Sequence, residues 1–88
     1  IEVKEVWLSM TIDIGDLNTK ANIARKFLQE GNKVKASIRM RGRQQAYASQ
    51  GVEVMKKFAE ILKDVSKVEK QPSTEGRSII MFLAPLNQ

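Results

Sequence analysis

The 88-residue chain contains no cysteine and no histidine. Disulfides, thiolate metal sites and cysteine nucleophiles are therefore excluded, and so are imidazole ligands and imidazole general bases. A secreted domain of this size is more often stapled by disulfides, so the composition fits a reducing, cytoplasmic setting. No apolar run approaches the roughly 18 residues that a membrane-crossing helix needs, so no membrane partner is expected. There is no signal-peptide pattern, no repeat and no low-complexity linker. No serine lies in a nucleophile-elbow pattern, and the glycines form neither a GxxxxGK nor a GxGxxG loop. The chain opens Ile1-Glu2-Val3 without an initiator methionine, which is expected of a piece of a longer protein.

What is present suits one small folded domain with one core. Hydrophobic residues make up 42% of the chain and charged residues 28%. The net charge is +5, and its location says more than its size. Lys20, Arg25, Lys26, Lys33, Lys35, Arg39, Arg41 and Arg43 fall in one stretch with a single acid, Glu30. That stretch carries +7 and the rest of the chain −2. A basic patch of this kind attracts polyanions.

Hydrophobic periodicity predicts six elements. Ile1 to Met10 alternates well enough for a first strand. Asp13-Ile14-Gly15-Asp16 is turn chemistry, with Asp16 able to cap a helix. Leu17, Ala21, Ala24, Phe27 and Leu28 keep helical spacing up to Gly31-Asn32, where glycine ends the helix. From Lys33 to Arg41, Val34, Ala36, Ile38 and Met40 alternate with Lys33, Lys35, Ser37, Arg39 and Arg41. That is a strand with one buried and one wet face. After Gly42, residues 44 to 65 read as a second helix, with Tyr47 on its apolar side and Glu53 and Lys57 forming an i, i+4 pair. Gly51 inside that helix costs about 1 kcal/mol, which close packing against a neighbour would justify. Ser66 to Gln71 is a short strand, Pro72 to Gly76 a loop, and Arg77 to Ala84 an apolar interior strand ended by Pro85.

The order β-α-β-α-β-β predicts two right-handed crossovers and a final hairpin. Both helices then cover one face of a four-stranded mixed sheet, an α+β two-layer sandwich with the other face open. Lys33, Lys35, Arg39 and Arg41 should point out of that open face. Their spacing, about 6.6–6.8 Å between alternate residues, resembles that of phosphates along a nucleic-acid strand. Arg43 sits where the second helix should start, where backbone N–H groups favour an anion. An open face is often charged for solubility alone. Here no acid interrupts the stripe in sequence, which favours a polyanion. Trp7 reads as core or core edge, and Asp13 and Asp16 read as turn and cap residues, not as a catalytic pair. With few aromatics expected on the basic face, base stacking is not indicated, and phosphate and shape recognition of a folded RNA fits better.

The residues that carry the pattern also resemble a known family. Gly31-Asn32-Lys33-Val34-Lys35, Ile38-Arg39-Met40-Arg41-Gly42-Arg43, Glu75-Gly76-Arg77 and Met81-Phe82-Leu83-Ala84-Pro85 are similar to the C-terminal domain of bacterial translation initiation factor 3, and the resemblance runs the length of the chain. It implies a sheet order of 1-2-4-3 with the fourth strand antiparallel to the rest. It implies binding to the small ribosomal subunit through ribosomal RNA, prevention of premature subunit joining, and help in selecting initiator tRNA and the start codon. Lys20, Lys26, Lys57 and Arg77 then join Lys33, Lys35, Arg39, Arg41 and Arg43 as RNA-contacting candidates. Ser9 and Asn22 stand where some members carry arginine, and Gln44 where an acid is common. The 88 residues would be one C-terminal binding domain, a monomer without cofactor or catalysis, touching initiator tRNA only indirectly if at all. The alternatives are a basic module docking an acidic protein and, from the similar two-layer architecture, a small acylphosphatase-like hydrolase.

Overall fold

The computed structural model describes residues 2–40 and 48–86. In chain order the elements are β1 (Val3–Leu8), α1 (Ile14–Gln29), β2 (Lys33–Arg39), α2 (Ala48–Ile61), β3 (Ser66–Glu75) and β4 (Ser78–Pro85). The sheet order is β1-β2-β4-β3. β1 and β2 are parallel, with Val3 opposite Lys33 and Leu8 opposite Ile38. β4 is antiparallel to both of its neighbours, β2 and β3. This is the predicted α+β sandwich.

The alternation in β2 sets the register. Val34, Ala36 and Ile38 are fully buried, and Met40 follows them into the core. Opposite them on β4 stand Leu83, Met81 and Ile79, and on β1 Val6 and Leu8. Leu17, Ala21, Ala24 and Leu28 of α1 and Met55, Phe58 and Leu62 of α2 close over this side. Phe27 packs at the edge of the cluster and is only partly buried. Both helices therefore lie on one face, because that is where the apolar sides of all the strands point.

The helix ends follow local chemistry. Asp13, and not Asp16, is the N-cap of α1: its Oδ1 accepts the Asp16 N–H at 2.8 Å, and the helix starts at Ile14. Asp16 instead lies in the first turn, where a negative charge suits the helix dipole. At the other end the Gly31 N–H bonds to the Leu28 carbonyl at 3.0 Å and the Asn32 N–H to the Phe27 carbonyl at 3.0 Å. Gly31 adopts φ 89° to allow it, which is the glycine-terminated helix end predicted from the sequence.

Several boundaries differ from the predicted ones. β3 runs on to Glu75, so the expected loop from Pro72 is largely strand, accommodated by register irregularities between Val68 and Lys70 and between Lys70 and Ser73. Pairing with the well-formed β4 overrides the turn-forming composition of Pro72-Ser73-Thr74. Only Gly76 (φ 60°) and Arg77 remain as the hairpin turn. Pro85 is the last residue of β4, opposite Ser66, instead of following the strand. α2 ends at Ile61, and residues 62–65 form turns. The predicted start of α2 at Gln44 and the core placement of Tyr47 lie outside the described residues.

Candidate nucleic-acid interface

The open face carries Val3, Glu5 and Trp7 from β1, Lys35, Ser37 and Arg39 from β2, and Ile80 and Phe82 from β4, since these alternate with the core residues. The stripe of cations on β2 is not continuous here. Lys35 Nζ meets Glu5, its direct partner on β1, at 3.5 Å. Lys33 Nζ donates to Glu69 of β3 at 3.0 Å. The absence of acids from the local sequence did not carry over, because β1, beside β2, and β3, one strand further across the sheet, supply them. Both pairs are partly solvent-exposed, where such bridges are worth about 0–1 kcal/mol. They temper the charge without locking it.

Arg39 is different. It is exposed and faces no carboxylate within ion-pair distance among the described residues. Its guanidinium carbon lies 5.6 Å from the centre of the Trp7 ring. Trp7 itself is 44% exposed, which corrects its expected place in the core. Val6 and Leu8 take the inner face, so period-two geometry turns Trp7 outward. Phe82 also stands on the open face, half-buried, with Lys70 Nζ 5.9 Å from its ring centre. The open face thus holds two aromatics, each with a cation beside it, contrary to the expectation that underlay the reading against base stacking. The signal in the sequence was the parity of Trp7 relative to Val6 and Leu8.

Arg77 reaches the same end of the sheet from the β3–β4 turn. Its carbonyl accepts the Met40 N–H at 2.7 Å, and the next residue, Ser78, is paired with Arg39. The turn is therefore tied to the carboxyl end of β2, and two arginines distant in sequence come to one edge. Lys20 lies on α1 in the wall of a polar recess shared with Trp7, Ser9, Thr11, Asp16 and Thr19. Lys26 is exposed in the last turn of α1, where a cation suits the helix dipole. Lys57 is exposed on α2, in the helix layer. The expected Glu53–Lys57 pair is replaced by Glu53 and Lys56 at 3.9 Å, leaving Lys57 without an ion pair among the described residues. Arg41 and Arg43 fall outside the described residues, directly after Met40 in the chain.

Arg25 does not extend the patch. Its Nη1 donates to Asp64 at 2.5 Å and its Nη2 to the Ile61 carbonyl at 3.0 Å. It fastens α1 to the end of α2. The hydrogen bond from Arg25 holds the Asp64 carboxyl below its ordinary pKa. Among the described residues no group of three or more acidic side chains is placed to hold a metal ion, and no helix is long and apolar enough to cross a membrane.

The candidates thus sort by place. Arg77 follows the backbone to the end of β2 that carries Arg39, Lys20 lines a recess beside Trp7, Lys33 and Lys35 are ion-paired, and Lys26 and Lys57 lie on the helices. A two-layer α+β domain with a net charge of +5 and exposed arginines that have no carboxylate partner among the described residues is, as a class, a small basic α+β domain. Residues 1–86 match the family described as "Translation initiation factor IF-3, C-terminal domain". The chain belongs to that family, and it is a translation initiation factor domain acting in protein biosynthesis.

Proposed function

We propose that this domain, working as a single monomeric unit in the cytoplasm, binds the small ribosomal subunit through ribosomal RNA. Its presence there obstructs early joining of the large subunit and assists selection of initiator tRNA and the start codon. The observation that carries this reading is the sheet end where the Arg77 backbone is bonded to the residue after Arg39, with both arginines exposed and without carboxylate partners among the described residues, in a member of an initiation-factor family. Arginine forks onto phosphate oxygens in a planar, bidentate manner. Lys20 adds a charge beside this edge, and Arg41 and Arg43 follow it in sequence. Lys26, Lys33, Lys35 and Lys57 supply further phosphate contacts, the two paired lysines by exchanging a carboxylate for a phosphate. Each neutralised phosphate releases counterions, so affinity falls with salt by nearly one log unit per log unit for each contact. Such contacts position the domain but read little sequence. No bond is made or broken, so the domain needs no catalytic group or cofactor.

Binding of the domain to isolated small subunits, followed by co-sedimentation across a salt series, tests this. Arg39→Ala, Arg41→Ala and Arg77→Ala should each weaken binding about tenfold, the scale of a lost charge-assisted contact, while the melting temperature stays close to that of the parent. Unchanged subunit binding in all three variants would refute the assignment, as would tighter binding to an acidic protein than to the subunit.

A further inference from the structure

We infer that Trp7 is a stacking site for an unpaired nucleobase of RNA, with Arg39 as the cation that accompanies it. The inference rests on the RNA-binding function proposed above and names the part of the RNA that the open face takes.

Five features carry it. The indole is 44% exposed on a strand whose flanking residues, Val6 and Leu8, are buried, so the sheet holds the ring outward on a rigid support. The Arg39 guanidinium lies 5.6 Å from the ring centre and has no carboxylate partner among the described residues, so it is available to a phosphate next to the stacked base. The row of residues that begins at Trp7 continues through Ser37 to Ile80, a largely uncharged strip. Phe82, on the neighbouring row, has Lys70 beside it in the same aromatic–cation arrangement. Two strand spacings of about 4.7–4.9 Å and one two-residue step of about 6.6–6.8 Å separate Trp7 from Phe82, so the two rings can serve different bases of one strand. The recess beside Trp7 offers the hydroxyls of Ser9 and Thr11 to the sugar that follows, its wall carrying Lys20 together with Asp13 and Asp16.

The chemistry selects the partner. Stacking on an aromatic needs a free base face, which a duplex hides and a loop or single strand presents. A phosphate-only surface has no use for an exposed indole beside its arginine. A protein partner with acidic side chains would pair with Arg39 but leave the ring uncovered.

Trp7 is the one tryptophan of the chain, so its fluorescence reports on this site directly. The domain is titrated with a ten-nucleotide oligoadenylate, with an RNA duplex of the same length and with inorganic polyphosphate, and small-subunit binding is measured on the same preparation. Oligoadenylate should quench Trp7 to saturation while the duplex and polyphosphate do so weakly. Measured by the anisotropy of end-labelled oligoadenylate, since the variants lack the reporter, Trp7→Ala should weaken binding about 5- to 150-fold, the range for loss of one stacked base, and Trp7→Phe should restore most of it. Unchanged fluorescence with oligoadenylate, equal quenching by polyphosphate, or equal binding by the parent, Trp7→Ala and Trp7→Phe would each overturn the site. If Trp7→Ala does not fold, the parent titration and Trp7→Phe decide alone. Loss of the stacking signal with subunit binding intact defeats this inference only. Quenching by oligoadenylate without subunit binding defeats the proposed ribosomal function and leaves the stacking site standing.

Discussion

Gly51 of α2 lies directly against Ile79 of β4: a Cβ added to the glycine would overlap Ile79 Cδ1, and it would come within 3.7 Å of Met10 Cγ. The glycine lets the helix lie close to the sheet where an added methyl group would displace the end of the Ile79 side chain. Gly51→Ala should gain about 1 kcal/mol of helix propensity and lose about 1–3 kcal/mol to overpacking, for a net destabilisation. Pairing it with Ile79→Val, which removes Cδ1, should recover much of the loss. Urea denaturation of the two single variants and the double variant measures the coupling; additive effects would show that the two residues do not compete for space.

Adjacent residues of β2 should respond in opposite ways. Ile38 is fully buried under the helices, and Ile38→Ala should cost about 2–5 kcal/mol. Ser37 is also buried, at 1% exposure, but on the other face, and its hydroxyl finds no hydrogen-bond partner among the described residues. Removing an unsatisfied buried hydroxyl is neutral or favourable, so Ser37→Ala should leave the urea midpoint unchanged or raise it.

The carboxylates that temper the open face should act as brakes on RNA binding. Glu5→Gln releases Lys35, and exchanging Glu69 for Gln releases Lys33. The double variant should bind small subunits several-fold more tightly at fixed salt. Its salt slope should stay close to the parent's, because Lys33 and Lys35 reach phosphate in both proteins and only the competing carboxylates are removed. Unchanged affinity would place the two lysines outside the contact.

Stability should be flat across neutral pH. Without histidine, no side chain has its ordinary pKa near 7. Asp64 is held below its ordinary value by its hydrogen bond from Arg25, and Glu2 by its hydrogen bond from Lys4. Their contributions are complete above the ordinary carboxylate range, about 4, and are lost as pH falls through the lowered folded values. Lys63 is raised by Glu60 and Lys4 by Glu2. Their contributions are complete below the ordinary lysine range, about 10.4, and are lost as pH rises through the raised folded values. Melting temperatures should therefore hold level from about pH 5 to 9 and fall outside that window, with a shallower acid limb in Arg25→Ala because Asp64 then has no partner to lose.

Much of the fold was readable from local pattern. Lys33 to Met40 alternates so regularly that its core side was assigned correctly, although Ser37, expected on the wet side, is buried on the open face, and Gly31-Asn32 marked the end of α1. Local pattern failed where pairing with another strand took over: Pro72 to Glu75 look like a loop, yet lie along β4. It also missed the capping role of Asp13, because two aspartates three residues apart present the same chemistry and only the backbone decides which one precedes the first turn.

By itself the sequence determined the layering, the position of the core and the concentration of positive charge, because those depend on spacing along the chain. The tertiary structure alone decided which charges remain unpaired and which aromatics accompany them. Glu5 and Glu69 reach Lys35 and Lys33 only through strand pairing, and the Met40–Arg77 hydrogen bond brings the hairpin turn to the end of β2. Trp7 meets Arg39 because parallel pairing sets the two side by side on the open face. Charge is additive along a chain, but neutralisation and stacking need contact, and contact between distant residues is fixed only when the sheet closes.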